Sequence, residues 1–151
     1  SNSIAELITK RLLELGLFPY NTTDSFLGFS YIEKMKQNDV AIFISASGES
    51  AMTLRLAKLA KEKNVTIIAI TGTQNNSLKE LADYCLCCSE SIIYTNISSL
   101  TNRFSQLFLI DCIYLGLWKM DTERFNKHIT EIDGFTRPDF GGFQFKNDKE
   151  L

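Results

Sequence analysis

Apolar positions recur along the chain at two spacings, and the change from one to the other marks out its elements. In IAELITKRLLEL (residues 4–15), Ile4, Ile8, Leu12 and Leu15 share one side of a 3.6-residue repeat, with Glu6, Lys10 and Glu14 mostly opposite. This predicts an amphipathic helix stopped by Gly16 as its C-terminal cap. Leu17 to Asn21 reads as a short extended piece, which Pro19 restricts to an edge strand or a bulge. Asp24 is placed to cap a helix over 25–36, which ends in the polar Lys36-Gln37-Asn38-Asp39.

The pattern then changes. VAIFIS (40–45) and VTIIAIT (65–71) are continuous apolar runs of strand length, the signature of strands covered on both faces of a parallel sheet. Between them a helix from about Glu49 to Lys63 is expected to bury Met52, Leu56, Leu59 and Ala60. After a polar loop (Gly72 to Asn76) come a short helix (77–82) and the strand YCLCC (84–88). Strand, helix, strand, helix, strand at this spacing predicts an α/β fold built on a doubly wound parallel sheet. Such a domain normally opens on a central strand, whereas this chain opens on a helix. Either a first strand precedes Ser1, or the sheet is smaller than usual.

A long helix from about Ser99 to Lys119 carries Phe104, Leu107, Phe108, Ile110, Ile113, Tyr114, Leu117 and Trp118 on nearly every side. One face can cover the sheet, and a subunit interface is the simplest cover for the rest, so a homodimer or higher oligomer is expected. Asp121 to Ile132 reads as a further helix. The tail over 133–151 mixes aromatics, glycine and charge, and is either an arm lying on a neighbour or partly disordered.

Composition narrows the function. A chain of 151 residues suits one domain, and a net charge of −2 offers no basic field for nucleic acid. No apolar run reaches the roughly 18 residues of a membrane span, and no signal-peptide layout opens the chain. Cys85, Cys87, Cys88 and Cys112 form no paired CxxC clusters, which argues against zinc and fits a reducing cytoplasm. Cys85 and Cys87 read as small hydrophobes within a strand. No metal or cofactor is expected.

The candidate chemistry lies in SASGES (45–50), at the junction between a strand and the following helix. Ligands of open parallel sheets bind beyond the carboxyl ends of the strands. Gly48 lets the backbone turn tightly, and the free N–H groups and dipole of the helix N-terminus favour an anion. The hydroxyls of Ser45, Ser47, Ser50 and Thr53 can donate to phosphate oxygens. The stretch is not a nucleotide P-loop, since no Gly-Lys-Ser/Thr follows, and the GxGxxG dinucleotide fingerprint is absent. A plain N-cap and turn would need only one of these serines. The sole histidine, His128, reads as a surface or interface residue, and Glu49 as a support for the loop through backbone hydrogen bonds. No acid–base pair stands out, and no catalytic residue is assigned.

SASGES with Thr53, followed by VTIIAITGTQNNSLKELADYCL, resembles the sugar isomerase (SIS) domain, and SIAELITKRLLELGLF is similar to that domain's first helix and edge strand. RFSQLFLIDCIYLGL (103–117) is similar to the C-terminal helix of the RpiR/MurR-type bacterial transcription regulators. The resemblance covers roughly residues 3–120 and implies a three-layer α-β-α, flavodoxin-like fold, helix-mediated dimers and a bound phosphosugar. Residues 1–132 would form the phosphosugar-binding domain. Ser45, Ser47, Gly48 and Ser50 would hold the phosphate; Ser3 falls where such domains often place a further phosphate-binding hydroxyl, unless Ser1-Asn2 are tag residues. Thr71 and Asn76 would face the sugar. Ala46 departs from the bulkier polar residue of many enzymatic members. The regulators carry a helix-turn-helix domain that this chain lacks, so DNA would be a partner only through a further domain. The implied function is a phosphosugar-sensing effector domain; the alternative is an aldose–ketose phosphosugar isomerase.

Overall fold

The computed structural model describes residues 2–88 and 96–136, the side chains of 96–103 and 136 excepted. The chain begins with helix α1 (Asn2–Glu14), which buries Ile4 and Ile8. It ends as Gly16 suggests: Gly16 sits at a φ of +74°, its N–H donates to the Leu13 carbonyl, and the Leu17 N–H reaches back to Leu12. The extended piece that follows is not a strand. Residues 17–24 join no ladder, Pro19 has no N–H to offer one, and Phe18 and Tyr20 are both 82% exposed. Helix α2 (Ser25–Lys34) starts where expected, the Asp24 carboxylate accepting from the Leu27 N–H at 2.9 Å.

Strands β1 (Val40–Ser45), β2 (Thr66–Thr71) and β3 (Tyr84–Cys87) form a parallel sheet in the order β1-β2-β3. Among the described residues β1 is therefore an edge strand. Helix α3 (Ala51–Glu62) links β1 to β2, and the five-residue α4 (Ser77–Leu81) links β2 to β3. Alternate strand residues go to opposite faces. Ile42, Ile44, Ile70 and Leu86 pack with α1 and with helix α5 (Asn96–Met120). Ala41, Phe43, Ile67, Ala69 and Cys85 pack with α2, α3 and α4. Helices thus cover the sheet on both sides, the three-layer arrangement expected.

The buried stripe of α3 differs from the expected one. Ala57 and Ala60 are its fully buried residues, Leu56 and Leu59 are half-buried, and Met52 is 38% exposed. Ala57 packs with Ala69 of β2 and Leu78 of α4. Two small residues let the helix lie close to the sheet, while Met52 falls on its first turn.

On the other face, Arg11 ties α1 to α5, bonding Asp111 at 3.0–3.1 Å and lying over the Tyr114 ring. Helix α5 buries Ile110 and Gln106 and exposes Phe104, Phe108 and Leu115. The last helix, α6 (Thr122–Thr136), runs four residues beyond the expected end at Ile132. It is steadied by the Asp121 carboxylate on the Arg124 N–H and by Trp118 Nε1 donating to Asn126. The rest of the expected tail, 137–151, and Ser1 lie outside the described residues.

Candidate functional site

Parallel pairing sets Ser45 beside Thr71, so the loops that leave β1 and β2 rise from the same end of the sheet. In the first loop Ser45 is buried, and its hydroxyl oxygen accepts the Gly48 N–H at 3.1 Å. Ser47 is exposed and accepts the Glu49 N–H at 3.2 Å. Gly48 has a φ of +70°, and a Cβ there would collide with the Asn76 side chain, so both backbone and space demand glycine.

Ser50 stands at the N-cap of α3 in extended conformation, yet its hydroxyl makes no capping bond. By helix geometry, the N–H groups of Ala51, Met52 and Thr53 have no intrahelical acceptor. The caps of α2 and α4 do use their side chains, Asp24 on Leu27 and Asn76 on Lys79. At α3 the exposed Ser50 hydroxyl, the half-buried Thr53 and the first-turn amides are left to an external acceptor. Here the positive end of a 12-residue helix favours an anion.

The second loop holds the first in place. The Gly72 N–H donates to the Ala46 carbonyl at 2.8 Å, an approach so close that a Cβ on Gly72 would lie 2.9 Å from that oxygen. Thr73 Oγ1 donates to the Ser47 carbonyl, and the Leu78 N–H to that of Gly48. Glu49 completes the lacing: its two carboxylate oxygens accept the Ser77 N–H at 2.7 Å and the Ser77 hydroxyl at 2.8 Å. Those bonds, the backbone one foremost, hold the Glu49 carboxyl below its ordinary value. Glu49 is thus the loop support that its position suggests.

Thr71 does not face outward as expected, while Asn76, though largely buried, borders the cleft beside the loop. Thr71 is fully buried; its hydroxyl donates to the Thr73 carbonyl at 2.9 Å and accepts from Asn76 Nδ2 at 3.3 Å. Asn76 is also buried, with Nδ2 donating to Thr73 and Oδ1 capping α4. A tight turn after β2 needs internal donors and acceptors, and these two side chains supply them. Ser3 is exposed on the first turn of α1 and makes no hydrogen bond to the serine loop. His128 packs over Gly16, at the opposite end of α1 from Ser3.

Next to the serine loop lies an open cleft of about 560 Å³, bordered by Glu49, Gln74, Asn75, Asn76, Ser77, Lys79 and Glu80. Gln74, Asn75 and Lys79 were not among the residues singled out by the sequence; the polar run between strand and helix was their only signal. Among the described residues, no group of three His, Cys, Asp or Glu side chains could hold a metal ion. The four cysteines are free thiols, and burial pushes that of Cys88 up.

The fold is a parallel α/β sandwich with an uncapped, hydroxyl-rich helix start at its strand ends. The SIS domain family model matches residues 1–116, and the chain belongs to that family. It is 36% identical over 98 residues to the HTH-type transcriptional regulator YbbH of Bacillus subtilis, covering 63% of this chain and 34% of that protein. The Vibrio vulnificus NanR protein, solved in complex with ManNAc-6P, superposes with a TM-score of 0.81 at 17% identity, over 89% of this chain and 51% of NanR. The sugar isomerase domain of an RpiR transcription factor from Sphaerobacter thermophilus gives 0.71 at 16% identity, over 89% and 73% of the two chains. The chain spans less than half the length of the curated regulators it matches.

Proposed function

We propose that this chain is the phosphosugar-sensing, dimerising effector domain of an RpiR-type transcription regulator working in a reducing cytoplasm. The observation that carries the reading is the start of α3, where the Ser50 hydroxyl caps nothing and the first-turn amides have no acceptor among the described residues. A phosphate seated there would take hydrogen bonds from Ser47, Ser50, Thr53 and those amides. Ser45, whose oxygen already accepts the Gly48 N–H, keeps its own proton to donate. Ser3 is proposed as a further phosphate donor. DNA would be contacted only through a helix-turn-helix domain of the whole protein, and the ligand would act by favouring one arrangement of the dimer over another.

Support for a sensor over an isomerase comes from the groups that proton transfer would need. Both oxygens of Glu49 are engaged by Ser77, and the single histidine lies over Gly16. Calorimetric titration with a panel of phosphosugars, N-acetylmannosamine 6-phosphate included, tests the proposal. Binding is expected in the micromolar to millimolar range, with Ser47→Ala and Ser50→Ala each weakening it by at least about tenfold, the worth of one charge-assisted hydrogen bond. No binding at millimolar concentration, or affinity unchanged in both variants, would sink the pocket. Turnover of a bound phosphosugar would replace the sensor with an enzyme.

A further inference from the structure

The loop between β2 and α4 combines a fixed backbone with side chains that hold nothing. Its main chain is pinned at Gly72 to Ala46 and at Leu78 to Gly48, and the Thr73 hydroxyl adds a bond to the Ser47 carbonyl. The inner side chains, Thr71 and Asn76, lock the turn from beneath. Between these anchors stand Gln74 and Asn75, exposed and without a hydrogen-bond partner among the described residues, and both border the 560 Å³ cleft. The amides that open α4 are not what the cleft presents. The N–H groups of Ser77, Leu78 and Lys79 are already bonded to Glu49, Gly48 and Asn76. What remains are two carboxamides, the Glu80 carboxylate and the Lys79 ammonium, the last two without an ion-pair partner among the described residues.

We infer that Gln74 and Asn75 are the specificity-determining residues of this site, reading the hydroxyls of the sugar whose phosphate the serine loop takes. The inference rests on the phosphosugar reading above and assigns the other half of the ligand. A carboxamide offers a carbonyl acceptor and two N–H donors without net charge. That suits a hydroxyl, which donates and accepts at once, and is a poor match for a second phosphate. Of the serine loop, Glu49 borders the cleft. The backbone beneath is fixed at both ends, so the points from which the two amides reach toward the cleft are set.

The experiment compares two probes on the wild-type chain and on Gln74→Leu and Asn75→Leu, substitutions of similar size that remove both donor and acceptor. One probe is the aldose phosphate that the wild type binds best; the other is glycerol 3-phosphate, which keeps the phosphate ester and loses most of the sugar. Each variant is expected to bind the aldose phosphate about five- to tenfold more weakly, the loss of one neutral hydrogen bond, with glycerol 3-phosphate affinity unchanged. The preference among epimeric aldose phosphates should narrow in the double variant. An unchanged order of preference, or an equal loss for both probes, overturns the inference while leaving phosphate binding intact. If the wild type binds neither probe, the phosphosugar reading fails and takes this inference with it. Both residues are exposed, so unchanged circular dichroism and melting temperature are expected and verify the fold in each variant.

Discussion

Glu49 stands among the serines proposed to meet the anion, yet its charge is held by the neighbouring loop. Its carboxyl lies below the ordinary value of 4.5 because Ser77 donates to it first from the backbone and then from its hydroxyl. The sign follows from linkage: a carboxyl depressed in the folded state contributes stability that is fully present above its unfolded value and lost as pH falls through the lower folded one. The amide resonance of Ser77 should therefore titrate with a midpoint below 4.5 in the wild type. In Glu49→Gln that titration should vanish. The same variant should loosen the tie between the loops at neutral pH, and phosphosugar affinity should fall although the serines are intact. Identical Ser77 titrations in the two proteins would mean that the contact does not form in solution.

Helix α4 is five residues long and could not persist alone. Tertiary anchors hold it: the Asn76 cap, the Glu49 bonds and Leu78, fully buried with Ala57 and Ala69. Leu78→Ala should cost about 2–5 kcal/mol in urea unfolding, the usual range for a leucine lost from a packed core. A cost below about 1 kcal/mol would mean that α4 is held by its polar bonds alone. The strands were legible from sequence because continuous apolar runs have few other uses, and α2 because Asp24 caps it. Where apolarity was ambiguous, sequence misled. Met52 is more hydrophobic than Ala57, but closeness to the sheet favours the small residue, and periodicity does not encode distance. Leu17 to Asn21 has strand-like residues but no described neighbour to pair with. Ser47, Ser50 and Gly48 were legible as candidates because the turn and helix start they belong to can be read from local sequence. Thr71 was misread because its partners belong to a turn whose shape is set by packing between two loops. Gln74 and Asn75 were passed over because an exposed amide in a polar loop looks the same whether or not it faces a cleft.

At the scale of the whole molecule, α5 is closed on one side and open on the other. Its sheet side is closed by Ile110 and Gln106, while Phe104 and Phe108, one turn apart, are 70% and 73% exposed, with Leu115 further along the helix. A few scattered apolar residues on a surface are ordinary, but a row of large ones along one helix marks an interaction face. No described helix is long and apolar enough to cross a membrane. The proposed occupant is α5 of a second copy, which would join two sensor domains through the helix that also packs on the sheet. Charge placed on this face should then separate the copies without unfolding either. In Phe104→Lys/Phe108→Lys, each protomer loses two phenyl rings whose burial is worth about 1.5–3 kcal/mol apiece, and two ammonium groups would have to be desolvated on association. The dimer dissociation constant should rise by at least about a hundredfold. Sedimentation equilibrium should show a dimer for the wild type and a monomer for the variant at the same concentration. Far-ultraviolet circular dichroism should be unchanged, because neither side chain fills the core. A wild-type monomer, or a variant that still sediments as a dimer, would remove α5 as the dimer interface; the phosphosugar site on each protomer would then have to act without coupling through this helix.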